Sequence, residues 1–431
     1  MRDEIRRLES RKSWVYVDTL PRSSGHNVVG SKWVFRTKRD ARGEVTGYRA
    51  CLVPQGFTQV KGIDYFSDDT FAAVCKLASM RVILSVAARN GWYAHQVNVK
   101  SAYLYGKLRD DEKIYMRPPP DIELDGISPG QLLLLLVVIY RLKQLGQRCQ
   151  PTSPQGYDPI ETGNYRWRNL EKHTVALSQH AYIESIIARY DFADAKPLSQ
   201  PMDTHAHLSV DQCPVTTAEY AIMRDKPYLE ALGALQQLTQ FGQNPGIVHW
   251  NALKRVYQYL KGTADLWLVL GSSEDNDIVG YSDADGMSTE GRRAVSGYVF
   301  MLNGGAVSWS SKRQDLVTLS TTEAEYVALT HTSKEALWLR SFVIELFGDP
   351  EHPIPLRSDN QSAIALSKDD HFHARTKHID IRFHFIRYAI ADGKINLSYC
   401  PTEDMTADIL TKALPSMKSK HFASSMGLSK V

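Results

Sequence analysis

Four acidic residues stand far apart in the chain but at similar places in its pattern: Asp283, Glu325, Asp359 and Asp408. Asp283 closes an alternating segment and Glu325 lies one turn into a long helical pattern, while Asp359 follows a short apolar run and Asp408 falls in the last helical stretch. If the strand before Asp359 pairs beside the strand ending at Asp283, both carboxylates leave the sheet at one end, where Glu325 and Asp408 can meet them. Like charges gathered in this way repel unless cations neutralise them, and an all-oxygen donor set suits Mg²⁺ or Mn²⁺. Two such ions can activate a water and stabilise the leaving oxygen of a phosphodiester. These four are therefore the candidate catalytic residues and metal ligands. The alternative is four unrelated surface acids among the 48 Asp and Glu of the chain. Glu323 is set aside, because only i+3 and i+4 neighbours share a helix face with Glu325.

The elements that must position them follow from periodicity. Strands are predicted at Asp277–Asp283, Val295–Leu302, Ala306–Ser310, Ile354–Ser358 and Lys394–Cys400, and helices at Thr321–Phe347, Gln361–Lys368, His378–Asp392 and Asp404–Leu414. This is an α+β layered domain. Near the N-terminus, Val28–Lys38 alternates as a half-buried strand, Asp40–Gly43 supplies a turn, and Val45–Pro54 returns. Leu77–Asn90 reads as a helix stopped at Gly91, and Tyr93–Val99 as a strand. The pattern is poor from 106 to 174, where the eight-residue apolar run Leu132–Ile139 is either a buried strand or a frame scar. Val175–Tyr190 reads as a strand passing into a helix with Ser178 as N-cap. Residues 199–225 read as a linker, followed by helices at Pro227–Thr239 and His249–Lys261.

With 431 residues, 43% of them hydrophobic and 23% charged, the chain has the composition of a soluble globular protein, which excludes fibrous and wholly disordered classes. The net charge is only +3, but residues 1–60 hold 12 Lys and Arg against 6 Asp and Glu. That excess suits a phosphate-facing surface or a solvated basic end. Lys32, Arg36, Lys38 and Arg49 are the candidate nucleic-acid contacts there; Trp33, Phe35 and Tyr48, at strand spacing, read as packing rather than base-stacking residues. Five scattered cysteines form neither a disulfide framework nor a zinc site. The eight-residue apolar run is far below the ~20 residues that span a bilayer, and the first residues are no signal peptide. An intracellular protein, cytoplasmic or nuclear and without a membrane, is expected.

Several runs resemble the ribonuclease H domain of copia-type retrotransposon polyproteins. They are Gly280-Tyr-Ser-Asp-Ala-Asp285, Ser296-Gly-Tyr-Val-Phe300, Val307-Ser-Trp-Ser-Ser-Lys-Arg-Gln314, Leu319-Ser-Thr-Thr-Glu-Ala-Glu-Tyr-Val-Ala-Leu329, Ser358-Asp-Asn-Gln-Ser-Ala363, His373-Ala-Arg-Thr-Lys-His-Ile-Asp380 and Asp404-Met-Thr-Ala-Asp-Ile-Leu-Thr-Lys412. The resemblance implies an endonuclease for the RNA strand of an RNA/DNA hybrid, with its metal-binding acids at Asp283, Glu325, Asp359 and Asp408. Lys377 and His378 become candidate phosphate contacts, with a solvated helix histidine as the alternative for His378. After Asp285 the usual aromatic is missing, and no histidine stands just before Asp408 to aid product release.

The N-terminal half resembles the reverse transcriptase of the same polyprotein, in Ser31-Lys-Trp-Val-Phe-Arg-Thr-Lys38, Tyr48-Arg-Ala-Cys-Leu-Val-Pro-Gln-Gly-Phe-Thr-Gln59, His95-Gln-Val-Asn-Val-Lys-Ser-Ala-Tyr-Leu104 and Ile114-Tyr-Met-Arg-Pro-Pro119. A polymerase needs carboxylates that hold two Mg²⁺ ions. Where the family has its first catalytic Asp this chain has Asn98, and no adjacent Asp pair occurs between 142 and 180. Cys51 stands where an Arg is usual. A further gap falls within Gly233–Gly246. The expected organisation is a lead-in (1–30), a truncated, degenerate fingers and palm (31–200), a helical connection (201–265) and a ribonuclease H-like mixed sheet with flanking helices (266–431). Three readings stay open: a hybrid-cleaving nuclease beside a lost polymerase, a noncatalytic remnant that holds a hybrid or a single strand, alone or with other polyprotein products, or a translated relic with no function. The missing segments imply a decayed element or a reading frame from which coding sequence has been spliced.

Overall fold

The computed structural model describes all residues except 21–24, 40–43, 67–74, 95–96, 100–105, 110, 144–156, 160–165, 204–207, 233–242, 274–276, 286–292, 349–351, 369–379 and 431. They gather into two compact units, one of residues 1–75 and 95–161, the other of residues 76–94 and 162–431. The four-segment organisation expected from the sequence stands beside this division as a proposal.

In the first unit the apolar run becomes the buried strand Leu132–Leu135, which pairs with Trp14–Val17 on one side and Tyr115–Met116 on the other; Val28–Val29 completes the sheet. Leu133, Leu135, Met116, Ile139 and Leu8 are buried around it, so this segment is core. Beside this sheet runs the hairpin of Ser31–Arg39 and Val45–Pro54, with Val34 opposite Cys51 and Arg36 opposite Arg49. The expected turn at residues 40–43 lies outside the described residues. Val97–Val99 pairs with Tyr157–Pro159, and this register sets Asn98 against Asp158.

The second unit is built on a five-stranded sheet ordered Gly305–Arg313, Val295–Leu302, Val279–Asp285, Ile354–Ser358, Ile395–Tyr399. The first three strands are antiparallel; the last three run parallel to one another. Asn303 and Gly304, both at positive φ, make the tight turn between the first pair. The helix Thr321–Phe347 starts at Ser320, whose side chain accepts from the Glu323 N–H, and lays Tyr326, Leu329, Ala336 and Leu339 on the sheet. The same core takes in Val82 and Leu84 of the helix Leu77–Arg89, far upstream in sequence. A second sheet pairs Trp267–Leu270 with Thr174–Ser178, and three helices pack around Phe192, Trp250, Leu253 and Tyr257.

Several expectations need correction. The strand expected from Tyr93 begins at Val97, because the helix before it ends in a Schellman turn: Gly91 has φ +69°, and the Trp92 N–H bonds the Ala87 carbonyl at 2.8 Å. Gln179, not Ser178, is the N-cap of His180–Arg189, although Ser178 Oγ does accept from the His180 N–H. The supposed linker 199–225 contains the helix Thr217–Arg224, nucleated by a Thr216/Glu219 capping box. The helix expected over Pro227–Thr239 is described as Tyr228–Leu232, its remainder falling outside the described residues. In place of the helix expected over Asp404–Leu414 there is a 3₁₀ turn over Thr406–Leu410; Pro415, which disfavours helical backbone at Leu414, separates it from a further helix, Ser416–Ser425.

Candidate metal centre

Asp283 and Asp359 reach each other through strand register. Gly280 pairs with Leu356 and Tyr281 with Arg357 in parallel, which sets Asp283 level with Asp359 two residues further on. Asp359 directly follows the strand Ile354–Ser358, which stops there because the helix Gln361–Lys368 starts at once, Asn360 Oδ1 accepting from the Ala363 N–H at 2.9 Å. Glu325 arrives from the first turns of Thr321–Phe347, while Glu323 is turned away and accepts from the Leu319 N–H. One ligand oxygen each from Asp283, Glu325 and Asp359 lies within 4.8 Å of the others.

Asp408 is not in that group of three but is joined to it through a cation. Lys412 Nζ sits 3.0 Å from Asp283 Oδ1 and 2.9 Å from Asp408 Oδ1. Lys418 Nζ takes Asp408 Oδ2 at 2.8 Å. Thr411 Oγ1 donates to Asp283 Oδ2, and Thr402 Oγ1 to Asp359 Oδ2 at 2.9 Å. Thr411, Lys412 and Lys418 were not singled out from sequence; the one signal there was Lys412, four residues after Asp408. The 3₁₀ turn approaches so closely because Gly297, opposite Asp283, has no side chain: a methyl group there would lie 2.6 Å from Thr411 Cγ2.

The electrostatics follow from burial. Asp283, Asp408 and Glu325 are 0%, 1% and 6% exposed. Burial, with Asp283 and Asp359 as like-charged neighbours, pushes the Glu325 carboxyl up to about 9, although the Ala284 N–H donates to it. Burial also raises Asp283, while Lys412 and Thr411 pull it back. Lys412 is itself raised, since Asp283 and Asp408 outweigh the burial that would lower it. Glu325 Oε2 is buried with no hydrogen-bond partner, a costly state for a carboxylate oxygen. A hard cation would relieve it, and the carboxylate-only donor set fits Mg²⁺ or Mn²⁺.

Of the candidate nucleic-acid contacts, Lys32, Arg36, Lys38 and Arg49 fall on one face of the first unit's hairpin by register, with Phe35 and Tyr48 on the other. Arg36, Lys38 and Arg49 are exposed, Lys32 is half-buried, and Arg49 donates to Tyr140 Oη at 3.4 Å. The exposures of Phe35 and Tyr48, 67% and 83%, correct the packing expected for them, since among the described residues nothing covers that face of the strand pair where they stand; Trp33 does pack, against the first unit's core. Lys377 and His378 lie outside the described residues, and of Asn98 only the backbone is described. Cys51, Cys75, Cys213 and Cys400 are not in disulfides. Among the described residues no helix is long and apolar enough to cross a membrane.

Residues 11–152 match the family "Reverse transcriptase (RNA-dependent DNA polymerase)". The retrovirus-related Pol polyprotein from transposon TNT 1-94 of Nicotiana tabacum is 33% identical over 97% of this chain and 37% of its own length. That from transposon RE2 of Arabidopsis thaliana is 31% identical over 100% of this chain and 34% of its own length. The RE2 alignment runs 502 positions against the 431 residues here, so about 70 of its residues have no counterpart and the chain is internally deleted. Among solved structures, the foamy viral protease-reverse transcriptase in complex with RNA/DNA hybrid aligns with a TM-score of 0.42 at 11% identity, covering 92% of this chain and 52% of that one. The chain belongs to the Pol polyproteins of copia-type retrotransposons and spans about a third of the length of the relatives it matches.

Proposed function

We propose that the second unit cuts the RNA strand of RNA/DNA hybrids by two-metal hydrolysis, using Mg²⁺ or Mn²⁺, and that the polymerase chemistry of the family is lost. The observation that carries this reading is the convergence of Asp283, Glu325 and Asp359 around a buried, unpartnered Glu325 oxygen. A pair of divalent ions, when bound, supplies an acidified water and the positive charge that steadies a departing 3′-oxygen. The chain's own part is to hold the ligands. Asp283 and Asp359 are fixed by strand register, Glu325 by a capped helix, and Asp408 by two lysines. For the polymerase, Asn98 offers a neutral amide where a carboxylate is needed, and the register opposes it to the single Asp158.

The test uses the full 431-residue chain with Mg²⁺. It should cleave a labelled hybrid in the RNA strand and spare duplex DNA, and Asp359→Asn should abolish cutting. Absence of cutting by the unmutated chain refutes the nuclease reading. Primer extension should give no product; extension that Asn98→Ala removes would overturn the polymerase half.

The basic hairpin face favours the second reading, noncatalytic retention of a hybrid or single strand through phosphates. Under it, binding in EDTA weakens steeply with salt, and Arg36→Ala with Arg49→Ala flattens that slope with no cleavage by any form of the chain. Residence inside the cell and association with other polyprotein products belong to the same proposal.

A further inference from the structure

The metal centre already carries a cation of its own. Lys412 Nζ bridges Asp283, which belongs to the group of three acids, and Asp408, which does not. Each oxygen of Asp408 faces an ammonium, Oδ1 that of Lys412 and Oδ2 that of Lys418, and Lys418 also donates to the Thr402 carbonyl at 3.2 Å. Both Asp283 oxygens are likewise engaged, by Lys412 and Thr411. Glu325 Oε2, in the group of three, has no hydrogen-bond partner. The centre therefore divides into a half built for an incoming cation, Asp283 with Glu325 and Asp359, and a half that the protein fills, Asp283 with Asp408. An ion bridging Asp283 and Asp408 needs the oxygens and the space that the ammonium occupies.

The way out for that ammonium is open. The Lys412 side chain is 32% exposed, whereas those of Asp283 and Asp408 are at most 2% exposed, so the lysine can swing toward solvent and the carboxylates cannot follow. A phosphodiester arriving at the centre offers it a replacement anion.

Resting on the two-ion reading above, we propose that Lys412 is a positioning residue that stands in for the second divalent ion, so that the chain alone binds one ion well and admits the other only when the lysine leaves. Its charge holds Asp283 and Asp408 together before substrate arrives and opposes occupation of that half until then. Coupling between competing occupants of this kind commonly amounts to roughly 5–150-fold in affinity.

The experiment titrates Mn²⁺ into the full chain without nucleic acid, by calorimetry and by electron paramagnetic resonance. The unmutated chain should bind one ion well and a second weakly. Lys412→Met should tighten the second ion at least about tenfold and produce the spectrum of two coupled Mn²⁺ ions, while Lys412→Arg should behave as the unmutated chain. Lys412→Gln keeps polar contact without charge and serves if the methionine variant folds poorly; it too should tighten the second ion. Unchanged stoichiometry and affinity in both neutral variants, with one ion that Asp359→Asn removes, would overturn the role of the lysine and leave the metal centre standing. No Mn²⁺ bound by the unmutated chain would overturn both.

Discussion

Gly297→Ala tests whether the approach of the 3₁₀ turn to the central strands builds the centre. The added methyl would stand 2.6 Å from Thr411 Cγ2, 3.1 Å from Leu410 Cβ and 3.3 Å from the Ala407 carbonyl. Relief to ordinary van der Waals contact of ~3.6 Å requires the segment carrying Asp408, Thr411 and Lys412 to retreat by about 1 Å. Overpacking of this kind costs about 1–3 kcal/mol, which lowers the melting temperature by roughly 2–12 °C in a domain of this size. A shift of about 1 Å in a catalytic ligand can cost on the order of 100-fold in rate. Gly280→Ala is the matched control: its methyl would meet Leu356 Cδ2 at 2.5 Å and Phe300 at 2.6 Å, in the core rather than at the centre. Both variants should melt earlier, measured by calorimetry, but only Gly297→Ala should lose hybrid cleavage well beyond its loss of folded protein. Equal cleavage per folded molecule in the two variants would refute the claim that this glycine positions the site.

Two further predictions concern the charge and the core. Because the Glu325 carboxyl is raised from 4.5 to about 9, the folded chain keeps a proton that the unfolded chain has released, so the contribution of this group is fully present below about pH 4.5 and is lost as pH rises toward about 9. The slope reaches at most ~1.4 kcal/mol per pH unit. Melting curves from pH 5 to 8.5 should show this decline without Mg²⁺, less of it with Mg²⁺, and a much flatter course for Glu325→Gln; a glutamine variant with the parent's slope would sink the assignment. Leu84→Ala should destabilise the unit that holds the acids by about 2–5 kcal/mol, because Leu84 is buried in the same core as Phe300 and Leu356. Chemical denaturation followed by the loss of Mn²⁺ binding would show it, and an unchanged midpoint would contradict the shared core.

What the sequence made legible was set by how local each cause is. Thr321–Phe347 and Ile354–Ser358 have the expected bounds because local signals fix their ends: the Ser320 cap starts the helix, and Asn360, capping the next helix, stops the strand. The meeting of Asp283 and Asp359 was legible one step further out, since two parallel neighbours end at the same edge. Lys412 and Lys418 were not, because their partners are fixed by how the 3₁₀ turn packs on Gly297, and a glycine in a strand does not announce what approaches it. Nor was the membership of Val82 and Leu84 in the second unit's core, which only long-range packing decides. The helix Thr217–Arg224 was legible in its capping box, but its residues are not buried, so no periodic apolar face drew attention to it.

The acids of the centre are held by different forces, and this separates structure from chemistry. Asp283 and Asp408 are tied into a network with Lys412, Lys418 and Thr411, so each has partners that offset part of the cost of its burial before any ion binds. Removing Asp408 would take the shared anion from two lysines that are a third exposed, so they can turn to solvent and the loss is moderated. Glu325 has no such reward. Its Oε2 is buried without a partner beside two other carboxylates, a position that weakens the metal-free fold and that an uncharged amide would ease. A buried carboxyl that costs stability in the empty protein, with an oxygen that only a cation would partner, is the mark of a ligand. Glu325 therefore carries more of the case for metal chemistry than the better-connected aspartates, and its replacement by glutamine should separate the two effects: a firmer fold without metal, and no response to it.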